Sequence, residues 1–180
     1  SMENKKIRVA INGFGRIGRL VLRSILEHGR SDIEVVAIND LGPVETNAHL
    51  LQYDSVHGRL PMDVTVDGDV IKVGNMQIKC TAIRNPAELP HGDMNIDIAM
   101  ECTGLFTDRE KAADHLAAGA KRVLVSAPAK NADKTIVFGV NHDSLTADDL
   151  VVSNASCTTN CLSPVAKVLH DTVGIERGYM

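Results

Sequence analysis

The sequence predicts an α/β protein built on a mostly parallel, doubly wound sheet of the Rossmann, dinucleotide-binding kind. Three observations carry that expectation. An apolar strand runs directly into glycines spaced G-x-G-x-x-G at Gly13, Gly15 and Gly18. Apolar runs of strand length alternate with helical runs along the chain. The glycines, Asp40, Thr103-Gly104, Ser126 and Cys157 all follow strand-like runs, and open sheets bind ligands beyond the carboxyl ends of their strands.

Ile7-Arg8-Val9-Ala10-Ile11-Asn12 reads as the first strand. Arg16 to His28 reads as a helix with Ile17, Leu20, Val21 and Ile25 on one face and Gly29 as its stop. A second strand, Ile33 to Asp40, ends in an acid. Each glycine then has a mechanical task. Gly13 permits the tight turn, Gly15 lets backbone approach a pyrophosphate, and Gly18 lets helix and strand pack closely. N–H groups at the helix start suit the phosphates. Asp40, about 20 residues beyond the last glycine, can accept from the adenosine ribose hydroxyls and would repel a ribose phosphate. NAD is therefore expected rather than NADP, with a strand-end cap as the other reading of Asp40.

Pro43 to Gly58 reads as a short helix and a loop, with Tyr53-Asp54-Ser55-Val56-His57-Gly58 as its polar end. Val64 to Val73 alternates as a hairpin turning at Asp67-Gly68. Gln77 to Ile83 is a further strand before Arg84-Asn85-Pro86, and Ile96 to Glu101 another, ending in Cys102-Thr103-Gly104. Thr107-Asp108-Arg109-Glu110 has capping-box spacing, with Thr107 as N-cap, for a helix stopping at Gly119. Arg122 to Ser126 and Thr135 to Asn141 are strands. A short helix and the strand Asp149 to Val152 complete the series.

Cys157 follows in Ser153-Asn154-Ala155-Ser156-Cys157-Thr158-Thr159-Asn160-Cys161. Leu162, Val165, Ala166 and Leu169 recur at helical spacing, which puts the thiol at a helix N-terminus. Pro164 either kinks that helix or marks its first turn. Unpaired N–H groups and the positive end of the dipole favour thiolate, the nucleophilic form. The other reading is a buried structural thiol. Cys80, Cys102, Cys157 and Cys161 lack paired metal-ligand spacing, so no metal is expected and a reduced, cytoplasmic compartment is.

With 180 residues, 44% of them hydrophobic and 23% charged, the chain can build one domain and the edge of a second. A net charge of −4 leaves no basic footprint for nucleic acid or an anionic membrane. No apolar run reaches the ~20 residues of a membrane span, and no signal-peptide pattern opens the chain.

These segments resemble the phosphorylating glyceraldehyde-3-phosphate dehydrogenase family. The resemblance runs through Ile11 to Arg19, Ala37 to Leu41, Tyr53 to Gly58, Glu101 to Gly104, Ser126 to Lys130 and Ser153 to Cys161, in family order over almost the whole chain. Cys102 departs from the family's usual Ser. Ser126-Ala127-Pro128 favours this family over its erythrose-4-phosphate sister, which stays an alternative beside a non-catalytic NAD-binding module. The resemblance implies an NAD-dependent glycolytic oxidoreductase, a homotetramer, acting on glyceraldehyde 3-phosphate and phosphate, with no nucleic-acid or membrane partner. It implies Cys157 as nucleophile, with Ser156 and Thr158 at the substrate. Asn12, Gly13, Gly15, Arg16, Ile17, Gly18, Asp40, Arg84, Thr103, Gly104 and Ser126 would hold the cofactor. Arg84 is otherwise a solvated loop charge.

The implied organisation is an NAD-binding domain over 1–155 and, over 156–180, the nucleophile helix and the start of a catalytic domain. The family's general base is a histidine in a Thr-x-His-Ser motif beyond the point corresponding to Met180. None of His28, His49, His57, His91, His115, His142 or His170 lies in such a motif. Each reads as a surface or core histidine. These 180 residues alone are therefore expected to bind NAD with negligible turnover.

Overall fold

A computed structural model describes residues 6–27, 31–137 and 145–155. Eleven strands and four helices follow one another among them: β1 (Ile7–Asn12), α1 (Arg16–Glu27), β2 (Ile33–Asn39), α2 (Val44–Gln52), β3 (Tyr53–Asp54), β4 (Gly58–Arg59), β5 (Val64–Asp67), β6 (Val70–Val73), β7 (Met76–Thr81), β8 (Ile98–Glu101), α3 (Arg109–Ala112), α4 (Asp114–Ala117), β9 (Arg122–Val125), β10 (Lys134–Ile136) and β11 (Val151–Asn154). Nine strands form one sheet in the order β10-β11-β9-β8-β1-β2-β7-β6-β5. From β10 to β7 every neighbouring pair is parallel, and only β5, β6 and β7 pair antiparallel. The doubly wound expectation holds.

Burial explains the composition of the strands. The central strands are covered on both faces, so β8 and β9 are buried at every position and β1 at all but one. The outer strand β5 instead alternates half-buried with exposed residues. On one face Val9 and Ile11 pack with Val21, Leu22 and Ile25 of α1 and Leu51 of α2. On the other, Ala10, Ala37 and Ala99 present small side chains to Ile96, Met94 and Ala120. The chain goes from β1 to β2 on one side and later to β8 on the other. The crevice at the carboxyl ends of β1 and β8 is thus the topological switch point.

Several boundaries differ from the sequence reading, some through backbone pairing and some because a side chain claims the backbone first. Tyr53 to Gly58 is not plain loop, since β3 and β4 pair as a small hairpin. The β5–β6 hairpin pairs Asp67 with Val70, so its turn is Gly68-Asp69, with Gly68 at φ +61°. β7 spans Met76–Thr81, because Asn39 Oδ1 takes the Ile83 N–H at 2.8 Å. Ile96 and Asp97 precede β8; Ile96 N–H closes a turn onto His91 O, and the Asp97 carboxylate accepts from Arg8 N. Asp108, not Thr107, caps the next helix, its carboxylate accepting from Glu110 N at 2.9 Å. That helix breaks into α3 and α4 at Ala113.

β10 opens at Lys134, one residue earlier than expected, and ends at Ile136 with Val137 outside it, while 138–141 of the expected strand lie outside the described residues. Residues 145–150 hold a turn, whose closing Asp149 carboxylate accepts from Thr146 N. Leu150 N and Val151 N both donate to the Asp133 carboxylate. The last strand therefore starts at Val151 and runs to Asn154, two residues later than expected.

Among the described glycines, the one with least room for a side chain lies at the first glycine turn. A Cβ built on Gly18 would stand 2.1 Å from Gly13 O, whereas one on Gly15 would meet nothing within 4 Å. Gly18→Ala should accordingly lower the unfolding free energy by about 1–3 kcal/mol through overpacking. Gly15→Ala should stay within about 0.5 kcal/mol of the parent. Urea denaturation of the two variants checks the contrast; equal midpoints would contradict the packing account.

Candidate functional site

Strand β1 ends where its chain must turn sharply into α1, and Gly13 makes that turn at φ +91°. The turn is pinned from both sides. Gly13 N donates to Asn39 O at 2.8 Å, and Phe14, 1% exposed, fills the space beneath. α1 begins at Arg16, so the N–H groups of Arg16, Ile17 and Gly18 form its first turn, where no intrahelical acceptor is available. Arg16 is exposed, Ile17 half-buried and Gly18 buried. Gly15 faces open space. An exposed glycine beside free helix N–H donors is a cradle that suits a phosphate group. The sequence assignments of Gly13 and Gly18, turn and close packing, agree with this geometry.

Asp40 stands immediately after β2, across from the glycine turn. Its Oδ1 accepts from Phe14 N at 2.9 Å, and its Oδ2 from Gly42 N at 2.9 Å and Asn47 Nδ2 at 3.1 Å. Burial works to raise this carboxyl. The Phe14, Gly42 and Asn47 bonds together with the Arg19 charge outweigh it and hold Asp40 below the usual carboxylate range. The cap reading of Asp40 is therefore realised, and the carboxylate remains an anion with acceptor capacity left over.

A cleft of about 340 Å³ opens between these parts. Asn12, Gly13, Gly15, Asp40, Arg84 and Thr103 line it, all anticipated from sequence. Asn39, Leu41, Gly42, Ile83, Cys102, Leu105 and Phe106 line it as well and were not assigned there. Arg84 is exposed at the rim. Gly104, at φ +74°, turns the chain away from Thr103. Ser126 follows β9, its N–H donating to Glu101 O at 2.9 Å and its carbonyl accepting from Asn154 Nδ2 at 3.3 Å. The resulting shape, a phosphate cradle beside an anionic strand end and an apolar wall of Leu41, Ile83 and Phe106, fits a dinucleotide.

Beneath the cleft runs a row of polar side chains, buried at Asn39, Asn12 and Glu101 and half-buried at Thr81. Thr81, Asn39, Asn12 and Glu101 are Cα partners in register across β7, β2, β1 and β8. Thr81 Oγ1 donates to Asn39 Oδ1 at 2.7 Å, Asn39 Nδ2 to Asn12 Oδ1 at 2.8 Å, and Asn12 Nδ2 to Glu101 Oε1 at 2.7 Å. His115 Nε2 lies 2.9 Å from the same Glu101 oxygen, and His91 Nε2 lies 3.0 Å from His115 Nδ1. Both histidines are core residues. Sequence reasoning placed Asn12 at the site but missed its partners. A polar residue ending each of several adjacent strands was the available signal.

Cys157, with Ser156 and Thr158, lies outside the described residues, as does the helix expected to carry it. β11 leads toward it and ends at Asn154, on the carboxyl edge of the sheet beside β9. The thiols that are described, Cys80 and Cys102, are free. Burial pushes Cys80 up to about 11. Burial and the Glu101 charge push Cys102 up as well. Among the described residues no group of three or more His, Cys, Asp or Glu could hold a metal ion. None of their helices is long and apolar enough to cross a membrane.

Comparison with known proteins agrees with this arrangement. The family described as glyceraldehyde 3-phosphate dehydrogenase, NAD binding domain, matches residues 7–109. Its C-terminal domain family matches residues 156–180. The chain is 73% identical over 174 residues to glyceraldehyde-3-phosphate dehydrogenase of Xanthobacter flavus and 74% identical over 174 residues to that of Cereibacter sphaeroides. It is 61% identical over 176 residues to the chromosomal enzyme of Cupriavidus necator. Each match covers 97% of this chain and 52% of the relative, so the chain spans about half the length of the curated relatives it matches. A sheet parallel through its centre, a glycine turn at its switch point and a family match across both place the chain in the glyceraldehyde 3-phosphate dehydrogenase family, whose NAD-binding domain it carries.

Proposed function

We propose that this chain is the cofactor-binding part of an NAD-dependent, phosphorylating glyceraldehyde 3-phosphate dehydrogenase. Residues 1–155 would form the NAD-binding domain and 156–180 the beginning of the catalytic domain. The observation that carries the reading is the cleft itself. The glycine turn, Asp40 and Thr103 border one crevice, on the edge of the sheet to which β11 delivers the chain before Cys157. The C-terminal-domain match over 156–180 supports the division.

In this reading the N–H groups of the first turn of α1 and the exposed Gly15 hold the pyrophosphate, and Asp40 holds the adenosine ribose. Thr103 and Ser126 would contact the cofactor. Bound NAD supplies a hydride acceptor. The Cys157 thiolate would attack the aldehyde carbon, forming a C–S bond as the carbonyl π pair moves onto oxygen. Re-formation of that carbonyl would release hydride to the acceptor and leave a thioester, and a phosphate oxygen would then displace the sulfur, giving 1,3-bisphosphoglycerate, free thiolate and a proton to solvent. Ser156 and Thr158 contact substrate or phosphate, and the Cys157 N–H faces the developing oxyanion. The parent enzyme acts in the cytoplasm as a homotetramer.

NAD should bind more tightly than NADP by at least about tenfold, since a ribose phosphate would meet the Asp40 carboxylate. Asp40→Ala should cost about 1.5–3 kcal/mol for each charge-assisted bond lost. Calorimetric titration with both cofactors tests this, and equal affinities would remove Asp40 from the site.

Cys157 should be alkylated first by limiting iodoacetamide, read by peptide mapping. Cys80 and Cys102 are both held protonated, so they should lag. Faster labelling of either would count against the nucleophile assignment.

The 180-residue polypeptide contains no Thr-x-His-Ser motif, and a general base typically contributes about 10²–10⁴ in rate. Alone, it should bind NAD yet form NADH from glyceraldehyde 3-phosphate and phosphate at a negligible rate. Steady-state rates within tenfold of a full-length relative would refute that expectation.

A further inference from the structure

We propose that Glu101 is a positioning residue of the cofactor site: its buried carboxylate, backed by His115, fixes Asn12 on one lip of the cleft and Thr103 on the other. The proposal rests on the reading of the cleft as a cofactor site.

Glu101 is 1% exposed and occupies the last position of β8. A carboxylate offers about four acceptor positions, and here four donors occupy them. Oε1 takes Asn12 Nδ2 at 2.7 Å and His115 Nε2 at 2.9 Å; Oε2 takes Thr103 N at 2.9 Å and Thr103 Oγ1 at 2.5 Å. Because the carboxylate only accepts, it orients its neighbours. Asn12 must turn its NH₂ to Glu101 and its oxygen to Asn39. Asn39 must in turn give its NH₂ to Asn12 and to Ile83 O, and its oxygen receives Thr81 Oγ1 and Ile83 N. The polarity of the row is thus set from both ends, at Glu101 and at the Ile83 backbone.

The other oxygen acts on the cleft wall. With its proton given to Glu101, the Thr103 hydroxyl accepts from Leu105 N at 3.0 Å, which fixes the turn carrying Leu105 and Phe106 along the cleft. A Cβ on Gly13 would lie 2.8 Å from Thr103 N, so Thr103 is seated directly against the glycine turn. Glu101 thus governs how the two loops meet. Behind it, His115 is fully buried, and His91 closes the series at 4% exposure. Burial, and after it the His115 charge, pushes His91 down to about 4, so it is neutral at physiological pH.

Replacing the carboxylate with an amide breaks this arrangement at one end or the other. Glu101→Gln offers a single oxygen, and its NH₂ must face either Asn12 and His115 or the Thr103 donors. Thr103→Val removes the hydroxyl alone, and Thr103→Ser restores it. The test has two arms on the 180-residue chain. In the first, amide hydrogen exchange without cofactor should show Thr103 and Leu105 exchanging at least about tenfold faster in Glu101→Gln, with Ile11 and Ile38 still protected. In the second, NAD titration should show Kd raised about tenfold in Glu101→Gln and in Thr103→Val, but near the parent in Thr103→Ser. The double variant should bind more tightly than the sum of the two single losses predicts, as expected when the two share the Thr103 hydroxyl contact.

Unchanged exchange at Thr103 and Leu105 together with an unchanged Kd in Glu101→Gln would overturn the proposal. So would additive losses of affinity, or a loss of protection spread evenly over the core. If Glu101→Gln does not fold, Thr103→Val at unchanged thermal stability decides: an unaltered Kd refutes the positioning role. Failure of the parent chain to bind NAD would instead refute the reading of the cleft, and the exchange arm would still decide the role of Glu101.

Discussion

Parallel strands covered on both faces ordinarily carry apolar side chains, because a buried polar group must recover in hydrogen bonds what it loses in hydration. Four strands of this sheet end otherwise. Thr81, Asn39, Asn12 and Glu101 place amides, a hydroxyl and a carboxylate at equivalent levels of the interior, and each satisfies the next. Such a row tolerates no slip, since shifting one strand by a residue would turn its polar member to the opposite face and orphan its neighbours. The loops that leave these strands therefore start from fixed points. Those loops are the glycine turn, the Asp40 segment and the Thr103 segment, which together border the cleft.

The glycine turn converts that fixed edge into a stack of close contacts. α1 rests on Gly13 O through the missing side chain of Gly18, and Gly13 in turn rests on the backbone of Thr103. Asp40 reaches across to hold Phe14 N within the same turn. Helix, turn and neighbouring loop are in contact without intervening side chains. The helix start thus points its free N–H groups into the crevice at a direction the rest of the domain dictates.

The sequence made the first βαβ unit legible because its signals are local: a continuous apolar strand, glycines at fixed offsets, a helical stripe and an acid at the next strand end. Gly13, Gly18 and Asp40 stand where that pattern put them. Two of the boundaries that moved show polar side chains deciding where an element starts. Thr107 and Asp108 could each cap the following helix, and the ionised carboxylate took the Glu110 N–H. Asp149 reads as the start of a strand until its carboxylate is seen closing the turn from Thr146. Glu101, His91 and His115 were out of reach for another reason. Asn12 and Glu101 are 89 residues apart, and only the β1–β8 register brings them together. No spacing rule encodes a pair formed by topology.

Asp40 illustrates how a residue proposed to set cofactor choice can also be part of the architecture. Its carboxylate anchors two backbone amides, at Phe14 and at Gly42, besides facing the cleft. A substitution that made room there for an extra phosphate would also release the turn that shapes the rest of the crevice. Redesigning the chain for the phosphorylated cofactor therefore needs concerted changes: new anchors for both amides along with a new partner for the ligand. In the proposed reading, a single replacement at this position would lose both backbone anchors along with the carboxylate.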